Sequence, residues 1–584
     1  MSDKTMAFNR RSFVKGGIAA ASGLALGALA GCGNAPVKSQ AEPAAGGSSV
    51  ALPDSITMAD VENSAVELEP ITDFAAEETY DIVVVGAGCA GVPAVVTALE
   101  EGATVCCLQK ESIVSANGAG ASCVAHKYSD PAAVARWTSL WAEENLWRFN
   151  RELFKYWEER SDETLSWILQ KGLAVGVEPN VCLTGESVYL DGLGTVAVCK
   201  AIQPGNQVLM EALAAQAEKD GAVFHYSTPA VQLVQDESGA VTGVVGKASD
   251  GSYIKVNANK GVILAAGDYM NNESLLNRYN GDVIDWQPDL INHTGDGHIL
   301  GALAGGRIAP GPHPRQIHSL FSDDRVFLAT PILSLDPEGN RFMNEEVVMT
   351  DWNTVMKYCY PADMKKHLYR FLDSAVEEKF PGVATVEDVE ALVQGTIEGG
   401  GERGSGLGVG LATYKGDTLE ELLYNMGIDD PQPFLDGIAR YNELCASGAD
   451  TDFGKNPAYM KAVDTPPFYG IINNPETLSA NNGGLLVDEH YQVIDAEGNP
   501  IPGLFSAGVN GGDVCGGINW HMPAGSSNGH CFNAGRYTVI YALTGGLTPS
   551  KPAKFEDVED MFRDPNGKFM WDKPELISHD IPRW

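Results

Sequence analysis

Eleven cysteines occur in 584 residues, yet none form a C-x-x-C pair or a C-x-x-C-H run. Zinc ribbons, iron–sulfur clusters and covalently attached c-type haem therefore find no ligand set, and no metal is expected. Cys106 and Cys107 are adjacent, but together with Cys89 and Cys199 they stand in apolar surroundings, as small buried hydrophobes do. Positive charge is also scarce. Lysine and arginine number 40 against 77 aspartates and glutamates, a net charge of −37, which excludes a nucleic-acid backbone as partner. What remains is a solvated acidic surface, or a basic partner. Long apolar runs are missing too. The best candidate, "GGIAAASGLALGALAGC" ending at Cys32, is too short and too weakly apolar for a comfortable bilayer span.

That short run belongs to a leader. Arg10-Arg11-Ser12-Phe13-Val14-Lys15 is a twin-arginine start, the pattern of a route that exports proteins already folded. Leu29-Ala30-Gly31-Cys32 resembles a lipobox, so a lipid on Cys32 is the one membrane contact expected, and the destination is periplasm or cell surface. Residues 33–78 are rich in Ala, Pro, Ser, Gly and acids, the composition of a flexible linker.

From Tyr80 the texture changes. "YDIVVVGAG" reads as a buried strand, "GVPAVVTALEEG" as a helix closed by Gly102, and "ATVCCLQK" as a second strand, together a βαβ unit. Between strand and helix, Gly86-Ala87-Gly88-Cys89-Ala90-Gly91 fits G-x-G-x-x-G. The first glycine permits the tight turn, the second lets a pyrophosphate reach the backbone, and the third lets helix and strand pack. The second strand ends on Gln109 followed by Lys110, where a carboxylate would normally grip a ribose hydroxyl. A neutral amide makes a weaker contact there, so Gln109→Glu is expected to bind nucleotide as tightly or more tightly. Helical segments follow through Gly172, then a hairpin turning at "DESGAV" and a strand entering Gly267.

Five blocks in order carry a wider resemblance: the fingerprint at Asp81–Gly91, "GVILAAGDY", "HTGDGHILGALAGG", "DPEGNRFMNEE" and "GGLLVDEHYQVIDAEGNPIPGLFSAGVNGGD". The chain resembles the FAD-dependent fumarate reductase and 3-ketosteroid dehydrogenase superfamily, including exported flavoprotein reductases. The resemblance implies an α/β fold: a Rossmann-like FAD-binding domain made of two chain segments, residues 79–305 and 471–548, with an inserted α+β capping domain at 306–470 and a tail at 549–584. It implies FAD held by Gly86, Gly88, Cys89, Ala90 and Gly91 at the pyrophosphate, and by Gln109 and Lys110 near the ribose. Asn117, Gly118, Ala121 and Ser122 would lie near the phosphates and ring, and Val231 at the adenine. Ala266, Gly267 and Asp296 line the cradle, while Ala507, Gly508, Gly525, Ser526, Ser527 and Asn528 approach the isoalloxazine. A helix beginning there would favour anionic reduced flavin.

The departures narrow the substrate. The arginine that acts as proton donor in fumarate-type reductases is replaced by Met349 or Thr350, and "PAGSSNGHCFNAG" has no arginine before Arg536. The histidine that precedes the double glycine of that family is replaced by Asn481 or Asn482. Without guanidinium forks a dicarboxylate is disfavoured. His318 and His521 match substrate-facing positions and are the first candidates for carbonyl donor or general acid; Arg315, Arg325 and Tyr269 are weaker ones. The expected activity is FAD-dependent reduction of an activated C=C bond in an enone, acrylate or steroid-like acceptor, with electrons from a separate cytochrome or quinol-linked donor. The alternatives are a 3-ketosteroid-type dehydrogenase and a non-catalytic flavin-fold binding protein.

Overall fold

Ile82-Val83-Val84-Val85 can be apolar at every position because both faces of their strand are covered. They end β1 (Ala76–Val85), which continues through the glycine turn into α1 (Gly91–Glu100) and β2 (Val105–Leu108). The computed structural model describes residues 61, 68–118, 120–148, 150–182, 188–190, 192–202, 205–284, 287–288, 290, 292–317, 331–346, 368–381, 385–399, 412–473, 477–512, 514 and 525–572. The twin-arginine leader, Cys32 and most of the linker lie outside these residues.

The main sheet gathers both chain segments. Its order is Gln492–Ile494, β7 (Pro500–Ser506), β6 (Tyr253–Leu264), β1, β2, β3 (Val223–His225), and from β7 to β3 every pairing is parallel. The hairpin expected at "DESGAV" is β4 (Ala230–Gln235) and β5 (Val241–Lys247), paired onto the first half of β6. With helices packed on it, this is the Rossmann-like half of an α/β fold.

A second sheet carries the cap. Leu333–Leu335, Leu368–Asp373, Phe468–Asn473 and Ala412–Gly416 pair antiparallel in that order. One cluster on it buries Leu335, Phe371, Leu422, Phe434 and Ile438; another buries Leu372, Val389, Val393 and Ile471. Phe468–Asn473 carries the cap sheet across residue 470, the boundary that the resemblance implies for the return to the first domain. The "NRFMNEE" block sits in the cap: buried Arg341 pairs with Glu345 and Asp450, each at 2.9 Å, and Lys455 reaches Glu345 at 3.2 Å. The tail folds back, with Phe569 and Trp571 against Tyr128 at ring separations of 4.9 and 4.7 Å.

The final long helix, α3 (Ser526–Thr544), fastens the second segment to the first. Arg536, the arginine that ends the arginine-free stretch, is fully buried and turned away from the cradle. Its guanidinium donates to Glu163 at 2.8 and 3.1 Å and to Glu100 at 3.2 Å, and lies 4.4 Å from the Trp167 ring centroid. Removing one partner of a buried ion pair strands the others without solvent. Arg536→Ala is therefore expected to destabilise the protein by about 3–5 kcal/mol, seen as an earlier urea midpoint.

Candidate functional site

Parallel strands leave all their C-terminal ends on one edge, and in open α/β sheets that edge is where ligands bind. Here the ends of β1, β2, β6 and β7 are stitched together. Gly86 N–H donates to Leu108 O at 2.8 Å, Ala265 N–H to Val85 O at 2.8 Å, and Ala507 N–H to Leu264 O at 2.8 Å. The glycine turn has no room for side chains. A methyl on Gly86, which has φ +103°, would meet Ala265 O; one on Gly91 would meet Gly86 O; one on Gly88 would lie 2.9 Å from Ser115 O.

The helix starts supply positive potential. Neither α1 nor α3 has an acidic residue in its first turn, so their free N–H groups are not already neutralised. Gly525 caps α3 at φ +83°, and its carbonyl accepts from Ser122 N–H at 3.1 Å. Gly118 lies against the Asn528 amide. Asn206 Nδ2 donates to Asn117 O at 2.9 Å, and Cys89 Sγ reaches the same carbonyl at 3.5 Å. Ala90 packs on Gly508, whose added methyl would stand 2.9 Å from the alanine Cβ. The structure thus brings together Gly86, Gly88, Cys89, Ala90, Gly91, Asn117, Gly118, Ala121, Ser122, Ala266, Gly267, Ala507, Gly508, Gly525 and Ser526, with Ser527 and Asn528 in the first turn of α3. Val231 follows on β4, three residues after Thr228, whose N–H donates to Gln109 O at 2.8 Å.

Buried polar atoms in this region lack partners. Among the described residues, Ser122 Oγ, Asn206 Oδ1, Ser526 Oγ and Asn510 Nδ2 have none, although burying an unmet polar group is costly. A dinucleotide, rich in donors and acceptors, fits a backbone cradle ringed by such atoms.

Gln109 behaves differently from its sequence reading. Its Oε1 accepts from Ala87 N–H at 3.0 Å and its Nε2 donates to Ile113 O at 2.8 Å, so the buried amide braces the glycine turn from within. Lys110 binds Asp296 at 3.0 Å, joining the end of β2 to the first residue of α2 (Asp296–Leu303).

A polar network lies beside the end of β6. Tyr269 OH donates to His313 Nδ1 at 2.6 Å, and His313 Nε2–H donates to Ala309 O at 2.7 Å. Burial pushes His313 down to about 4, so it is neutral near pH 7 and this tautomer is fixed. Asn280 Nδ2 donates to Asn481 Oδ1 at 2.7 Å and accepts Arg315 through Oδ1 at 3.1 Å. Asp268 accepts from Asn481 N–H at 2.8 Å and meets His293 Nδ1 at 3.1 Å. Among the described residues, Asn481 Nδ2, both ends of the Asn482 amide, and Asn510 Nδ2 have no partner. His318, His521, Arg325, Met349 and Thr350 lie outside the described residues. Tyr269 and Arg315 are network members rather than surface or packing groups. Sequence reasoning missed His313 and Asn280, which carry no motif of their own; Asp268, inside "GVILAAGDY", and His293, opening "HTGDGH", were within reach. Glu78, Cys106 and His225 form a separate metal-competent group that sequence spacing does not reveal.

Two outcomes follow. Gln109→Glu would lose the donor to Ile113 O and set a carboxylate against that carbonyl. It is expected to weaken nucleotide retention, by about 1–3 kcal/mol, in an equilibrium-dialysis titration; this reverses the gain that sequence alone suggests. For His293, burial opposes the charge, but the Asp268 hydrogen bond and charge outweigh it and the group is raised. A raised folded value means that the pair stabilises fully below the ordinary histidine value of about 6.5 and is lost as pH rises through the folded one. Urea midpoints of wild type and His293→Asn should differ most below about pH 6.5 and converge as pH rises through the raised folded value.

Comparison with known proteins places these features. A family model described as FAD binding domain matches residues 81–528. Vinyl phenol reductase of Lactiplantibacillus plantarum is 27% identical over 508 residues, covering 80% of this chain and 97% of that protein. A flavocytochrome c3 fumarate reductase in an open conformation superposes with a TM-score of 0.57 at 22% identity, covering 81% of this chain and 80% of its own. The 3-ketosteroid Δ4-(5α)-dehydrogenase of Rhodococcus jostii RHA1 superposes with a TM-score of 0.59 at 21% identity, covering 81% and 98%.

Proposed function

The chain belongs to the FAD binding domain family, and from that premise we propose that it is an exported oxidoreductase reducing the activated C=C bond of an uncharged or weakly charged acceptor. FAD, when bound, supplies two-electron hydride chemistry. The chain's own residues hold it: the Gly86–Gly91 turn and the α1 N-terminus take the pyrophosphate, and Ser122, Ser526 and Asn528 face the rest. The relative named vinyl phenol reductase supports an alkene conjugated to an uncharged ring as substrate class.

The observation that carries the reading is the unpaired asparagine patch. Asn481, Asn482 and Asn510 are buried; Asn481 is tied to the end of β6 through Asp268 and Asn510 through Ala266, while Asn482 N–H donates to Pro314 O. Their open amide atoms present neutral donors and an acceptor, which suit a carbonyl or phenol. Proton donation falls to His318 or His521. Export follows from the twin-arginine leader, and electrons would come from a separate cytochrome or quinol-linked donor.

The protein, reduced anaerobically with dithionite, is expected to be reoxidised by vinyl phenols, enones or phenyl acrylates and not by fumarate. Asn482→Ala should raise KM for the accepted substrate by about tenfold at most, with the flavin spectrum intact. A yellow protein that no alkene reoxidises would defeat the reading, as would one that prefers fumarate.

A further inference from the structure

We propose that Glu78, Cys106 and His225 form a binding site for a single zinc ion. Each residue comes from a different strand: β1, β2 and β3. The carboxylate oxygen, thiol sulfur and imidazole nitrogen lie within 4.8 Å of one another. His225 Nε2 and Glu78 Oε2 are already 2.9 Å apart. Zinc takes sulfur at about 2.3 Å and nitrogen or oxygen at about 2.0–2.2 Å, so tetrahedral ligand atoms stand roughly 3.3–3.7 Å apart. Side-chain rotations of about an ångström would convert the present spacing into that one.

The donor set and its surroundings agree with this ion. One thiolate, one imidazole and one carboxylate make a borderline set that zinc satisfies, with a fourth position left for water. Tyr80 OH donates to Glu78 Oε2 at 3.0 Å, the kind of outer hydrogen bond that aims a ligating carboxylate. Glu78 and His225 side chains are 29% and 21% exposed, which provides an entry path, while Cys106 forms the buried floor. Cys107 turns to the other face, towards the Gly86 backbone, as pleat alternation requires. Without metal, burial keeps the Cys106 thiol protonated. Zinc would displace that proton to solvent and replace the His225–Glu78 contact with two metal bonds.

The site is independent of the flavin reading, since its ligands contribute nothing to the cradle. The test uses full-length, FAD-loaded protein stripped with chelator and titrated calorimetrically with zinc chloride. One equivalent should bind, and zinc K-edge absorption should show one sulfur at about 2.3 Å with the remaining ligands nitrogen or oxygen. Cys106→Ser should lose the sulfur shell, His225→Gln should lose saturable binding, and Tyr80→Phe should weaken binding about tenfold. His225 is partly exposed, so its variant keeps the test informative if Cys106→Ser does not fold. Absence of saturable binding in the wild type, or unchanged binding in His225→Gln, would overturn the proposal.

Discussion

Backbones in contact are the constraint on which this molecule depends. Gly91 stands against Gly86 O, Gly535 against Ala90 O and Gly508 against the Ala90 methyl, so α1 is gripped between the glycine turn on one side and the second chain segment on the other. At such distances the smallest side chain is an obstruction. Because α3 can approach α1 this closely, Arg536 reaches Glu163 and Glu100, and the first turns of the two helices open onto the same edge of the sheet. The cradle is thus a by-product of packing: the same absent side chains let helices meet and let phosphates reach the backbone.

This explains what the sequence could and could not disclose. The βαβ unit and the hairpin were legible because their signals are local: a branched apolar run, a glycine turn before helical spacing, a turn dipeptide; the helix after Gly525 was implied only by the resemblance. The two-part domain was legible only through several blocks in order. The bracing role of Gln109 was hidden because its position in the motif suggests only a ligand contact, while its hydrogen bonds to Ala87 and Ile113 depend on how the following loop curls back. Tyr269 and Asn481 stood out singly, but their assembly with His313 and Asn280 into one network was hidden for a related reason. Its members are up to about two hundred residues apart and meet only because the strands Arg315–Ile317 and Thr477–Asn481 pair.

Charge is distributed with similar economy. In a chain of net charge −37, several buried or half-buried cations are held by carboxylates: Arg536 by Glu163 and Glu100, Arg341 by Glu345 and Asp450, Lys110 by Asp296. Arg341 shows that a family-like block can serve the cap's interior rather than its ligand. The Asn481–Asn482 pair, by contrast, leaves buried amide atoms unmet among the described residues.

The sheet order also has a consequence for biosynthesis. The end of β6, at Leu264, has its parallel partner in Ser506 of β7, so about 240 residues must leave the ribosome before that edge is covered. At roughly 5–20 residues per second the bare edge persists for roughly ten to fifty seconds. An uncovered apolar strand is a template for wrong pairing, so throughout that interval the nascent chain needs shelter from its neighbours.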